Sequence, residues 1–446
     1  MNTISREGST KSASSLGSLP KHWLTRKLKY IADVRVSNVD KKSVEGHERV
    51  RLCNYVDVYY NNVITSELNL MEATASKSEI ERFGLHDGDV VITKDSESWD
   101  DIAVPAYVKG PMDGIVCGYH LAIARAKPKI LSGEFLFRCF EASAINYQFK
   151  IAASGITRYG LGKYSVDNAL FPLPPLEEQI AIAAYLKTET ARIDGLISRK
   201  TRQVEILTEQ RAAIISRAVS KGVNPNVDMK SSGFPWLGSI PKHWRSTRFK
   251  FVSKRVDVGI AEAATHAYRD EGVPIIRSTN VRSNRLRTED LLFIDPEFAK
   301  KNKSKALFAG DIVTVRTGNA GVSAVIPPHL DKSQCFTLLM SSLRAKQSPE
   351  FYCFYFNSEA GKTQFALLGW GTAQINISVP ILKNLVVPEV PYEEQLEIVE
   401  YINRKTRQID VLTERINLSI MRLQEFRASL INSAVTGKID IKTRVN

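Results

Sequence analysis

The chain has 446 residues, 43% of them hydrophobic and 24% charged, which excludes pervasive disorder and, at this length, predicts two to four domains. Its 61 Lys and Arg against 48 Asp and Glu leave a net charge of +13, which suits a polyanionic partner because cations that neutralise phosphates release counterions. Five scattered cysteines with no C-x-x-C pair argue against disulfides and zinc; with no charged-then-apolar leader and no bilayer-length apolar run, the expectation is a cytoplasmic protein with buried thiols and no membrane partner.

Residues 1–16, rich in Ser, Thr and Gly, read as a flexible tail. From Gly17 the chain opens a pattern that it later repeats. Gly17-Ser18-Leu19-Pro20-Lys21-His22-Trp23 returns as Gly238-Ser239-Ile240-Pro241-Lys242-His243-Trp244, and Gly88-Asp89-Val90-Val91 as Gly310-Asp311-Ile312-Val313. Glu177-Glu178-Gln179, just after a proline-rich strand end, returns as Glu393-Glu394-Gln395. The order of the three echoes is kept, so the chain is a tandem duplication of a unit of about 220 residues.

Each unit has two parts. Residues 17–175 and 238–391 carry short β-branched and aromatic runs broken by Gly, Asn and Asp, the pattern of compact mixed α/β (α+β) domains. At 176–222 and 392–437 the apolar positions step by threes and fours, from Leu176, Ile180, Ala183 and Leu186 onward and from Leu396, Val399 and Ile402 onward, as far as Phe426, Leu430 and Ala434. Such stripes predict two helices of about 65 Å, opened by prolines and acids that suit a helix N-terminus. One apolar stripe cannot stay exposed, so the two helices are expected to pair as an antiparallel coiled coil; packing of each helix on its own domain is the other arrangement. Residues 223–237 read as a linker and 438–446 as a tail.

The chemistry of catalysis is missing from the sequence. There is no Asn-Pro-Pro-Tyr-like adenine methylation motif and no Walker A sequence, and Gly318-Asn319-Ala320-Gly321 reads as a turn rather than a dinucleotide fingerprint. His22 and His243, each beside a tryptophan in an echoed segment, read as packing residues.

A globular domain, then Leu173-Pro174-Pro175-Leu176-Glu177-Glu178-Gln179 opening a long helix, then the whole again, resembles the specificity subunits of Type I restriction-modification enzymes. The likeness is carried by the two G-S-[LI]-P-K-H-W segments, by Gly155 to Tyr164 leading into Pro172 to Ile180, and by Gly371-Thr372-Ala373-Gln374-Ile375-Asn376-Ile377-Ser378. It implies two target-recognition domains that each read half of an asymmetric, split double-stranded DNA sequence, and helices that set the spacer and dock two methyltransferase subunits. Restriction/translocase subunits would join for cleavage. It also implies no cofactor on this chain, with S-adenosylmethionine, ATP and Mg on those partners. A self-contained methyltransferase or endonuclease, or a protein-binding coiled-coil adaptor, are the competing classes.

Charge narrows where DNA would sit. Residues 17–175 carry 20 basic and 19 acidic side chains, residues 238–391 carry 21 and 13, so the first domain can hold DNA only with a local basic face. In the second, Arg316, Thr317 and Asn319 follow a strand and match the family's Gly-Asp, strand, Arg-x-Gly pattern; in the first, Lys94 and Ser96 stand there with several acids close behind. The turns before the long helices add Thr157, Arg158, Tyr159, Lys163 and Tyr164, and Trp370, Thr372, Gln374 and Asn376, whose aromatics are equally readable as core. Arg277, Arg282 and Arg285 around Asn280 form the densest arginine run, expected on phosphates.

Overall fold

The computed structural model describes residues 16–261, 265–370 and 375–441. Most of the tail predicted at 1–16 lies outside them. The described chain divides into two units, one formed by residues up to 200 together with those from 418 onward, the other by 201–417; each long helix therefore contributes a stretch to both.

In the first unit a five-stranded sheet runs in the order Ala32–Val36, Leu121–Ala126, Val90–Thr93, Pro105–Val108, Val63–Ile64. Its alternation serves two cores. Val90, Ile92, Ala122 and Ala124 face the helices Gly133–Glu141 and Ser143–Ala152, whereas Val91, Leu121 and Ile123 face a three-stranded sheet, Met71–Ala75, Glu48–Cys53, Ile115–Cys117. A strand buried on both faces must be apolar throughout, which is why Val90-Val91-Ile92 reads as an unbroken run. The second unit repeats this plan with Ser253–Val258, Leu339–Leu343, Ile312–Thr314, Ser323–Val325 in one sheet and Tyr268–Arg269, Leu292–Ile294, Val273–Ile276, Gln334–Cys335 in the other. Ile312 and Leu339 face one core and Val313 and Met340 the next.

The three echoes are structural joints. Gly88 and Gly310 take φ of 86° and 87°, a left-handed turn that glycine adopts without steric cost. The following Asp closes the turn by accepting from the His86 and Phe308 N–H groups at 2.8 and 2.9 Å. Trp23 and Trp244 donate their indole N–H to Glu178 and Glu394 at 2.9 and 3.0 Å, and His22 and His243 meet the same carboxylates at 3.1 and 2.8 Å. The neighbouring Gln179 and Gln395 are fully buried. Each accepts from the N-cap serine of a core helix, Ser132 or Ser348, at 2.8 Å, and donates back to a carbonyl at the start of its own long helix. The paired motifs thus bolt each long helix to the globular part before it. Leu24–Lys27 against Leu170–Leu173, and Arg245–Arg248 against Val386–Glu389, complete the joint as short antiparallel ladders.

The long helices run Leu176–Lys221 and Tyr392–Val435. Their burial departs from the single expected stripe. Ile182, Ala183, Leu186 and Ile193 pack in the first unit's core with Leu430, Ile431, Ala434 and Val435; Ile215, Ala218 and Val219 pack in the second unit's core with Ile398 and Ile402. Between Ile193 and Ile215 no residue of the first helix is fully buried. Ile180, Leu396, Leu412 and Phe426, all placed on the predicted stripe, are exposed. Ile180 and Leu396 are exposed although they adjoin fully buried Gln179 and Gln395, so each stretch of helix buries only the positions that its own unit's core covers.

Two segments expected to be plain connections are folded. In 223–237, Met229–Ser231 pairs with Ser239–Pro241, and Leu237 enters the second unit's core. Of 438–446, Ile441 is buried in the first unit's core and Ile439 packs against it. Their apolar side chains, too few to make a periodic signal, find core only in three dimensions. All five cysteines are free and buried, and no helix among the described residues is long and apolar enough to cross a membrane.

Candidate nucleic-acid interface

In each unit the strand after the Gly-Asp turn is followed within two residues by a basic residue, Lys94 or Arg316, where it is met by the loop that precedes the long helix. Lys94 accepts the Leu161 N–H at its carbonyl (2.8 Å), and Arg316 accepts that of Ile377 (2.9 Å). One residue on, Asp95 pairs with Gly160 and Thr317 with Asn376. The same loop closes on itself, Gly160 against Ser154 and Asn376 against Trp370. The two units therefore build one frame, with Lys94, Asp95, Ser154 and Gly160 in one standing where Arg316, Thr317, Trp370 and Asn376 stand in the other. Glycine is required at the first loop's bend, because a Cβ on Gly155 would lie 1.9 Å from the Arg158 carbonyl oxygen.

The side chains on this frame differ. In the first unit Lys94 is turned inward and bonded to Asp95 at 2.8 Å, and His120 Nδ1 meets the same carboxylate at 2.7 Å. Burial alone would raise the Asp95 carboxyl, but the His120 and Lys94 bonds outweigh it and hold it below the usual range. Ser96 is buried and accepts the Ser98 N–H. Lys94 and Ser96 thus brace the loop from within. Thr157 and Arg158 are exposed, Tyr164 is 79% exposed, and Lys163 is bonded to Asp167 at 2.7 Å. Tyr159 packs partly on the core.

In the second unit Thr317 and Asn319 are exposed, Trp370 is 63% exposed, and half-buried Arg316 reaches the Ile377 carbonyl at 3.4 Å. Asn376 Oδ1 is buried without a hydrogen-bond partner, a costly state for a polar atom removed from water. Thr372 and Gln374 lie outside the described residues.

The arginine run forms a separate feature. Val281–Arg282 and Arg285–Leu286 make a two-stranded hairpin in which Arg282 and Arg285 are directly opposite. Like charges placed so repel one another unless an anion lies between them. Arg277 donates to the Asp290 carbonyl while its Nε has no partner. Asn280 is fully buried and corrects the expectation of a DNA contact: its amide holds the turn, accepting from the Arg277 N–H and donating to Asp290 and the Arg287 carbonyl. Burial of an amide with several local partners is invisible in a polar run.

His120 and the short helix Tyr55–Tyr60, whose Tyr59 donates to Asp101 at 2.6 Å, stand beside the same loop and belong to none of the echoed motifs of the sequence. The available signal was three tyrosines in six residues. Among the described residues no group of three His, Cys, Asp or Glu is placed to hold a metal ion.

The chain has known counterparts. A family model for the Type I restriction modification DNA specificity domain matches residues 20–205 and 261–421. The chain is 22% identical over 437 residues to a putative type I restriction enzyme MjaX specificity subunit of Methanocaldococcus jannaschii, covering 96% of each chain. It is 23% identical over 368 residues to the Type I restriction enzyme EcoKI specificity subunit of Escherichia coli, covering 80% of this chain and 76% of that one. The HsdS subunit from Thermoanaerobacter tengcongensis superposes with a TM-score of 0.52 at 18% identity, over 95% of this chain and 98% of that one. A chain from work on complex assembly and conformational transition of the type I R-M system does so with a TM-score of 0.72 at 16% identity, over 95% and 100%. At such identities the structural likeness speaks for the fold, and the sequence match for the family. With two copies of its domain over most of the length, the chain belongs to the Type I restriction-modification DNA specificity family.

Proposed function

We propose that this chain is the non-catalytic, DNA-reading subunit of a cytoplasmic Type I restriction-modification complex, and that each unit reads one half of a bipartite, asymmetric target. The observation that carries this reading is the duplicated frame with unlike side chains. One geometry presenting Arg158, Thr157 and Tyr164 in one copy, and Arg316, Thr317, Asn319, Trp370 and Asn376 in the other, is what two half-sites of different sequence call for. Arg277, Arg282 and Arg285 supply phosphate contacts, and Thr372 and Gln374 further contacts to bases.

The long helices act as the ruler. Asp194 bonds Arg427 at 3.0 Å in the first unit, and Arg211 bonds Asp410 at 2.9 Å in the second. Ascending 17 residues on one helix descends 17 on the other, which supports an antiparallel coiled coil. Exposed Ile206, Val411 and Leu412 in the second unit and Leu418, Met421 and Phe426 in the first suit the docking of two methyltransferase subunits, since exposed apolar side chains gain from a partner that covers them. S-adenosylmethionine, ATP and Mg belong to those methyltransferase subunits and to the restriction/translocase subunits.

Reconstituting the chain with its methyltransferase subunits and mapping methylated adenines tests the reading. A split target with a fixed unread spacer is expected; a contiguous target, or none, overturns it.

A further inference from the structure

The two units carry different elements at one equivalent place. The strand Glu48–Cys53 pairs in parallel with Ile115–Cys117, Cys53 opposite Cys117; the strand Val273–Ile276 pairs in parallel with Gln334–Cys335, Ile276 opposite Cys335. Each chain then leaves its strand through a capping box, the Asn54 N–H donating to Asp57 at 2.7 Å and the Arg277 N–H to Asn280 at 3.0 Å. Beyond this point the second unit makes the arginine hairpin. The first makes the helix Tyr55–Tyr60 instead.

That helix is built to display its side chains. Val58 is its one buried residue, whereas Val56 and Tyr60 are 56% and 77% exposed. The Tyr55 and Tyr59 rings stack at 5.4 Å and 16°, and Tyr60 meets Tyr59 edge-on at 5.0 Å. The Tyr59 hydroxyl is tied to Asp101, and Tyr55 borders Ser96 with Arg158 and Glu97 nearby. The aromatic stack is therefore pinned to the loop that forms the first unit's part of the frame. Rigid tyrosines offer contact area at small entropic cost. Their polar surroundings bear on the ligand: Asp95, Glu97, Asp100 and Asp101 in the adjoining segment outnumber Lys94 and the nearby Arg158, a setting that disfavours phosphate. An uncharged apolar group on a base edge, the C5-methyl of thymine in the major groove, is favoured there.

We infer that the helix Tyr55–Tyr60 is a base-reading element of the first unit, with the exposed ring of Tyr60 packed on a thymine methyl where the second unit presents arginines. The inference rests on the DNA-reading function proposed above. Its test replaces each thymine of the mapped target by deoxyuridine, which removes only the methyl, and measures binding by the full complex. Loss of one buried methyl weakens binding about fourfold, so one or more thymines in a single half-site are expected to show that loss. Tyr60→Ala should bind the unmodified target weakly and no longer distinguish thymine from uracil there, while Tyr60→Leu restores the distinction. The other half-site is unaffected in both variants, and because Tyr60 is exposed their thermal unfolding matches that of the parent. Indifference of the parent complex to uracil at every thymine, or discrimination retained by Tyr60→Ala, overturns the inference. A parent complex with no sequence preference at all overturns the DNA-reading function instead.

Discussion

Single side chains explain why the chain repeats itself. Glu178 and Glu394 each accept from a tryptophan and meet a histidine at least 150 positions away, so K-H-W and E-E-Q are the two halves of one joint. Truncating Glu394 to Ala leaves the indole N–H of fully buried Trp244 without an acceptor. The expected loss is about 1–3 kcal/mol of unfolding free energy, read by denaturant melts, with Glu394→Gln recovering most of it because the amide oxygen still accepts. Glu178→Ala should cost less, since Trp23 is only half-buried. Equal losses at the two sites would show that burial does not set the difference. The Gly-Asp turns vary in the same way: Asp89 is gripped by Arg125 at 2.7 Å, whereas Asp311, where burial outweighs its hydrogen bonds, has its carboxyl raised.

Among the elements, the arginine hairpin is the clearest departure of one copy from the other. Its turn residue Asn284 has a φ of 64°, and its side-chain oxygen accepts from Asn357 at 2.8 Å, which anchors the tip to the core. A hairpin held this firmly keeps Arg282 and Arg285 side by side despite their repulsion, a geometry that an intervening phosphate would relieve. Replacing either arginine by Ala should weaken DNA binding at every sequence and lower the slope of log affinity against log salt by about 1. The methylated sequence should stay the same. A changed sequence with an unchanged slope would make them base readers.

For the molecule as a whole the quantity at stake is distance. Seven residues add about 10.5 Å to a helix, close to three base pairs of duplex at about 3.4 Å each. Inserting one heptad into each long helix, at matched heights of the Asp194–Arg427 and Arg211–Asp410 pairs, should therefore lengthen the unread spacer by about three base pairs. Both half-sites should be retained. Methylome sequencing reads the outcome directly, and an unchanged spacer would remove the helices from the role of ruler.

How much of this was legible in the chain follows from the range of the interactions involved. The duplication, the two long helices and the apolar strands are written in repeats, periodicity and runs, because helix and strand geometry puts side chains on a given face at fixed short spacings along the chain. The candidate site is legible only in outline. Arg316 and Thr317 stand in one segment of the sequence and Trp370 and Asn376 in another, and only the fold brings them together; Lys94 is bonded to Asp95, which His120 also meets, and Asn280 is sunk among its own turn's polar groups. The folded segments around Met229 and Ile441 were likewise hidden. Exposure and pairing are settled by side chains brought in from distant parts of the chain, so a basic or aromatic residue becomes a reader of DNA, a brace or a piece of core only when the fold has chosen its neighbours.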